Sequence, residues 1–290
     1  MRLPYSELQA TYRVLTPFRL PYHAGSLVRG ILGRSLRLAS CTATPACAAA
    51  CNHPEICAYS ILFDPPLPSP PPHRLLRGDT QAPPRLLPLL SSPGALELAP
   101  DATFTLALRV LGRLDPLHEH HLVSALERIP DLDLGLGRDA GRLSLDAVTF
   151  LGPRNRILPT PSLDPASAPS PPPRHATLTF ETPVWLEHDK RLVLAPDFRT
   201  IFRSIHGRAT RVCALYGELA ADHEDRRATL DALSSEIECR PSLRAVDDWQ
   251  RHSLERGERH PLRGLLGSMT LAGDLAPFVP ILQLAEILHM

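Results

Sequence analysis

The sequence predicts an α+β protein made of two tandem ferredoxin-like units, the second lacking its last strand. Three observations lead there. The first half reads strand, helix, strand, strand, helix, strand, which is the order of the split βαβ unit. The second half repeats that order as far as its second helix. Between them, residues 159–174 (Pro-Ser-Leu-Asp-Pro-Ala-Ser-Ala-Pro-Ser-Pro-Pro-Pro at its centre) form a low-complexity stretch suited to neither helix nor strand. The expected division is therefore an N-terminal unit over 1–158, a linker over 159–174 and a C-terminal unit over 175–290.

Leu8 to Phe18 alternates apolar and polar side chains and reads as the first strand. Pro21 turns the chain, and Gly25-Ser26 suits a helix start. Leu27, Ile31, Leu32, Ser35 and Leu36 then recur at helical spacing, with Arg29, Arg34 and Arg37 on other faces. Gly30 and Gly33 lie inside this helix, each costing about 1 kcal/mol against alanine. Something must come close to the backbone there: either a polyanion drawn by the arginines or a tightly packed neighbour. Residues 41–57 form a cysteine-rich insertion, and Tyr59 to Phe63 is a short apolar run. Asp64 to Pro93 is so dense in proline that it reads as extended surface chain. Leu96–Leu98 and Phe104–Leu111 look like strands, Leu117–Ile129 like a helix with Leu122, Leu126 and Ile129 on one face, and Leu143–Leu151 like the closing strand.

In the second half a hairpin is expected from His175–Leu186 and Arg191–Leu194. A helix over about Asp197–Ala221 follows, with Phe198, Ile201, Phe202, Ile205 and Val212 periodic. Ala228–Glu238 reads as helical, Arg244–Glu255 and Leu262–Leu271 as strands, and Leu275–Leu288 as a final helix rich in Leu and Ile.

The chain has 290 residues, 43% hydrophobic content and zero formal net charge, so no global field favours a nucleic-acid partner. Lys190 is the only lysine; every other side-chain cation but histidine is arginine, which forks onto phosphate better than lysine does. No apolar run reaches the ~18 residues that span a bilayer, and Met1–Ala10 lacks a signal-peptide core, so a cytosolic protein with no membrane partner is expected. Six cysteines in such a compartment argue against a disulfide framework.

Four of them are spaced Cys41-x5-Cys47-x3-Cys51-x5-Cys57. Four soft ligands in one loop suit tetrahedral zinc, which would hold a segment with no core of its own. The plain alternative is four reduced thiols. Cys213 falls in an amphipathic helix and reads as a small buried apolar residue.

Several motifs carry a resemblance. Pro17-Phe18-Arg19-Leu20-Pro21, then Gly25-Ser26-x-x-Arg29-Gly30-x-x-Gly33, then the four-cysteine loop closing in Cys57-Ala58-Tyr59, resemble the cysteine-containing branch of the CRISPR-associated repeat-RNA endoribonucleases, within the RAMP superfamily. Phe180-Glu181-Thr182-Pro183, Phe202-Arg203-x-Ile205-x-x-Arg208, Asp248-Trp249-x-Arg251-His252-Ser253 and Gly264-Leu265-Leu266-Gly267 with Gly273-Asp274-Leu275 are similar to that family's C-terminal region, in the same order. The resemblance covers nearly the whole chain. It implies tandem RAMP/RRM-like ferredoxin units and a cytoplasmic prokaryotic protein that holds CRISPR repeat RNA. It also implies cleavage to guide RNA (crRNA) by the RNA's own 2′-hydroxyl, with no catalytic metal. Members run on into a glycine-rich loop and closing strand that this sequence lacks. That departure keeps a second expectation open, a non-catalytic RAMP subunit binding RNA beside other CRISPR effector subunits.

Attack by a 2′-hydroxyl needs a proton acceptor, a proton donor at the leaving oxygen and cations on the phosphorane, and histidine suits both proton tasks near neutral pH. His23, just before the first helix, is the expected catalytic residue, with His206 and His252 as runners-up. Arg29, Arg203, Arg208, Arg211 and Arg251, with His252, are the expected RNA contacts; the alternative is a solvated charged face. Trp249 and Tyr22 suit stacking on unpaired bases, although a strand tryptophan is more often core.

Overall fold

The computed structural model describes residues 1–21, 24–41, 55–90, 96–132, 141–157, 171, 173–188, 191–252 and 259–288, with only the backbone described at 188, 247–252 and 259–262. Most of the linker expected at 159–174 lies outside them. Pro4–Arg156 gather into one compact unit; Met1–Leu3 join Ile157–Arg251 and Glu258–Met290 in the other.

The N-terminal unit runs β1 (Pro4–Val14), β2 (Phe18–Leu20), α1 (Gly25–Ser40), a π-helical turn (Tyr59–Phe63), β3 (Leu86–Leu89), β4 (Leu96–Leu98), β5 (Thr103–Leu111), α2 (Pro116–Arg128), β6 (Leu143–Phe150) and a short β7 (Arg156–Ile157). Its main sheet has the order β3-β5-β1-β6, with β7 pairing β1. The three pairings along that path are antiparallel, Leu8 standing opposite Leu108 and Phe150, and Leu86 opposite Val110. This is the split βαβ order, with β3 as the second strand of the unit. Proline-dense chain was expected to carry no sheet there. Pro88 is tolerated because β3 is an edge strand, where a missing N–H costs no ladder bond. Leu96–Leu98, expected inside the sheet, instead pairs β2 in a separate two-stranded ribbon.

One face of this sheet packs on both helices. Leu8, Ala10, Tyr12 and Val14 alternate inward along β1 and meet Leu32 and Leu36 of α1 with Leu122 and Leu126 of α2. Two buried hydroxyls stitch the layers, Tyr12 donating to the Leu126 carbonyl at 2.9 Å and Ser35 to the Ala125 carbonyl. Asp115 caps α2 by accepting from the His118 amide at 2.9 Å, whereas α1 begins after Ala24 with no side-chain cap, contrary to the Gly25-Ser26 expectation.

The C-terminal unit runs β8 (His175–Val184), a ribbon of β9 (Glu187–His188) and β10 (Arg191–Leu192), α3 (Phe198–Tyr216), α4 (His223–Ser234), β11 (Glu238–His252), β12 (Arg259–Ala272) and α5 (Val279–Ile287). The sheet order is β11-β12-β8, the 2-3-1 arrangement of a ferredoxin-like unit, with no fourth strand among the described residues. Asp197 caps α3 through the Thr200 amide at 2.8 Å, and the helix stops at Gly217, short of the expected Ala221. Gly267 has φ +125°, and a side chain there would lie 2.3 Å from the Ser242 carbonyl oxygen, so the close pass of β11 requires glycine. Phe198, Phe202 and Phe278 form edge-to-face contacts at the centre of a core that includes Leu265, Met269 and Ile281. The chain's first residues complete this unit: Arg2 and Glu218 exchange two backbone hydrogen bonds of 2.8 Å.

Candidate nucleic-acid interface

The N-terminal candidates lie around α1. His23 and Tyr22 fall outside the described residues, immediately before the helix. Arg29, the nearest described cation of the expected set, is turned inward. Its guanidinium donates to the Phe63 carbonyl at 3.1 Å and the Leu86 carbonyl at 3.5 Å, and lies 4.1 Å from the centroid of the Phe63 ring. Arg29 thus ties α1 to the π-helical turn and to β3. The close approach expected at the helix glycines is met by the same ring: a Cβ on Gly33 would sit 2.6 Å from Phe63. The neighbour is a packed aromatic rather than an anion.

Cys41 and Cys57 stand half-buried at the two ends of the cysteine loop. Cys47 and Cys51 lie outside the described residues. Three histidines of α2, His118, His120 and His121, differ in their contacts. His118 faces the Asp115 carboxylate, which that contact and the helix amides hold below its usual pKa despite partial burial, and His121 approaches the Ala39 carbonyl at 3.3 Å.

The C-terminal candidates lie along α3. Arg203 forks onto Asp231 of α4 at 2.6 and 2.9 Å, and Arg199, one turn earlier, binds the same carboxylate at 2.6 Å. Asp231 is nearly buried, and the two guanidiniums hold its carboxyl far below the usual range. Neither Arg199 nor Asp231 was among the expected site residues. The i, i+4 arginine spacing was readable, but no local pattern announces a carboxylate 28 residues further on. Half of the Arg203 side chain remains in water, so one edge of its fork can face an anion.

Arg208 is set deeper. It donates to the Leu288 carbonyl at 3.3 Å, its Nε is buried with no partner among the described residues, and burial followed by the nearby Arg211 charge lowers its pKa. It therefore caps the end of α5. Arg211, on the same helix, is half-buried. His206, a runner-up for catalysis, is core: it packs on Phe202, approaches the Thr210 hydroxyl at 3.2 Å, and burial above all, then the Arg227 charge, pulls its pKa down to about 4. Arg251 and His252 end β11, with side chains outside the description, as is that of Trp249.

Against known proteins, residues 3–165 match the family model AF_1859_N, N-terminal domain, and residues 178–290 match the model described as CRISPR-associated endoribonuclease Cas6. No curated protein matches the sequence. Among solved structures, a partial Cas6-RT-Cas1–Cas2 complex is 13% identical with a TM-score of 0.55; the alignment covers 99% of this chain and 43% of that one, so this chain spans less than half of that neighbour's length. A Cas6 product complex is 18% identical, covering 98% and 91% of the two chains at a TM-score of 0.49. Cas6 from Thermus thermophilus is 17% identical, covering 99% and 90% at a TM-score of 0.45. The first of these likenesses shows a shared fold. Among the described residues, no helix is long and apolar enough to cross a membrane.

Proposed function

We propose that this chain, whose residues 178–290 match the model described as CRISPR-associated endoribonuclease Cas6, binds the repeat RNA of CRISPR precursor transcripts and cuts it into guide RNAs. The observation that carries this reading is that match, which spans the C-terminal ferredoxin-like unit from β8 to α5. In the proposed reaction the 2′-hydroxyl of the RNA attacks the adjacent phosphorus and the 5′-oxygen leaves, giving a 2′,3′-cyclic phosphate and a 5′-hydroxyl with no metal in the step. His23 supplies or takes a proton at one of those two oxygens. Its place before the N-terminus of α1 suits it, since partial positive charge at a helix start attracts phosphate. Arg203, Arg211, Arg251 and His252 contact the phosphates. Arg29 and Arg208 serve the fold, because their guanidiniums already have carbonyl partners.

The test is incubation of the protein with end-labelled repeat RNA in EDTA. Cleavage at one phosphodiester, with a cyclic phosphate on the upstream product, is expected. Tight, salt-sensitive binding without any cleavage would replace the nuclease reading by that of an RNA-holding subunit. A structural zinc on Cys41, Cys47, Cys51 and Cys57 is a separate proposal, resting on the donor chemistry of four closely spaced thiols. Elemental analysis of freshly purified protein should give one zinc per chain, and its absence rules the site out.

A further inference from the structure

The strongest unassigned feature is a pair of arginines on the first two turns of α3. Arg199 and Arg203 stand one turn apart and share a single carboxylate, that of Asp231 on α4. Asp231 Oδ1 accepts from Arg203 Nε at 2.6 Å. Its Oδ2 accepts from Arg203 Nη2 at 2.9 Å and from Arg199 Nη2 and Nε at 2.6 and 3.2 Å. The Arg203 and Arg199 guanidiniums hold this buried carboxyl far below its usual range, so it stays ionised. With its lone pairs occupied in this way, one carboxylate orients both guanidiniums at once.

Two positive charges on one negative leave this group of three positive. Each guanidinium spends only Nε and Nη2 on Asp231, and neither Nη1 meets an acceptor among the described residues. The Arg199 and Arg203 side chains keep 39% and 54% of their surface in water. Asp197, the next carboxylate, is engaged in capping α3 through the Thr200 amide and exerts the least of the influences on Arg203. Elsewhere on α4 the pairing is one to one, Arg226 with Asp222 and Arg227 with Glu224. One arginine is enough to tie α4 to α3. The second sets a like charge one turn away, which disfavours the helix unless an anion offsets it. Two guanidiniums fixed side by side with open Nη1 edges complement an oxyanion that takes several N–H donors, the phosphodiester of a nucleic acid.

We propose that Arg199 and Arg203 together seat one phosphodiester of the bound RNA, with Asp231 as the positioning residue that aims both guanidiniums. This rests on the reading of the protein as an RNA binder, in which Arg203 already has a part. It adds Arg199 to the contact and gives an acidic side chain a role in holding a polyanion. A phosphate contact sets the register of the RNA without reading its bases, so the seat serves any sequence.

The experiment measures binding of fluorescein-labelled oligouridylate and oligoadenylate to the full chain over a range of salt, beside the urea unfolding midpoint of each variant. The unmutated protein is compared with Arg199→Ala, Arg199→Lys, Asp231→Asn, Asp225→Asn and the double variant Arg199→Ala, Asp231→Asn. Arg199→Ala should weaken both RNAs equally, about tenfold, the low end for a hydrogen bond to a charged group, and lower the salt slope by about 0.7. Arg199→Lys should restore the slope but only part of the affinity, since an ammonium cannot fork. Asp231→Asn removes a negative charge, which by charge alone tightens RNA binding; the seat requires a loss of about 3–10-fold instead. Asp225→Asn, which removes an exposed carboxylate of the same helix, gives the response to charge alone. In the double variant Asp231→Asn should cost less than it does by itself, because both residues act on one contact. Binding by Asp231→Asn as tight as that of Asp225→Asn overturns the positioning role. Unchanged RNA affinity in Arg199→Ala overturns the seat while leaving the RNA reading intact, and a lowered urea midpoint beside it assigns the pair to helix packing alone. No RNA binding by the unmutated protein overturns both.

Discussion

His206 shows how one side chain can look functional in sequence and be structural in place. It lies on the same helix as the arginines expected to meet RNA, yet it is buried against Phe202 with its pKa lowered to about 4. The unfolded chain binds a proton at His206 near pH 6.5, and the folded one does not until about pH 4. Stability from this group is therefore complete above about pH 6.5 and is lost as the pH falls through the window down to 4. Urea unfolding midpoints should decline across that window in the unmutated protein and decline less in His206→Leu; equal slopes would show that the ring titrates normally. His23→Ala should slow cleavage of repeat RNA about 10²–10⁴-fold with little change in affinity, measured by single-turnover kinetics beside a binding titration. At this scale the sequence was legible where hydrophobicity decides. Cys213 was expected to be a buried apolar residue, and burial pushes its thiol up to about 11. It was illegible where long-range contacts decide: Arg208 shares a helix face with Arg211 yet is turned to the carbonyl of Leu288.

The first helix illustrates the scale of elements. Its apolar spacing predicted the buried stripe of Ile31, Leu32, Ser35 and Leu36, while the meaning of its glycines needed a partner from a distant turn. Phe63 lies against Gly33, and Arg29 covers the same ring from the next turn of the helix. Gly33→Ala gains about 1 kcal/mol of helix propensity but forces the ring aside, for a net loss of about 1–2 kcal/mol by chemical denaturation. Shrinking the ring in a Gly33→Ala, Phe63→Leu double variant should recover part of that loss, since touching residues couple. Additive losses would mean that the ring moves away freely. The same scale explains the strand misread in the proline-dense region. Leu86–Leu89 offers little strand signal, and only its edge position makes Pro88 acceptable, which is a property of the sheet and not of the segment. Leu96–Leu98 has good strand character but too few residues to compete for the sheet, and it pairs β2 instead.

Across the whole molecule, the repeated order of strands and helices was the most legible feature, because hydrophobic periodicity marks long elements well and boundaries poorly. The tandem ferredoxin-like reading follows from that order alone, and so does the β11-β12-β8 order of the second sheet. With zero net charge, RNA affinity has to come from local cations. It should therefore fall steeply with salt, and Arg251→Ala should reduce the slope of log affinity against log salt by about 0.7; an unchanged slope removes Arg251 from the phosphate contacts. One backbone pairing has a kinetic side. Arg2 and Glu218 bind each other, and a Cβ on Gly217 would lie 2.3 Å from the Arg2 carbonyl oxygen. Gly217→Ala should accordingly release the N-terminal residues, seen as faster hydrogen exchange at the Arg2 amide and a loss of about 1–3 kcal/mol. During synthesis Arg2 leaves the ribosome long before Glu218 exists. At roughly 5–20 residues per second the wait is on the order of ten to forty seconds. The C-terminal unit thus takes up a piece of chain made before the N-terminal unit, which stays unclaimed while that whole unit has time to fold behind it.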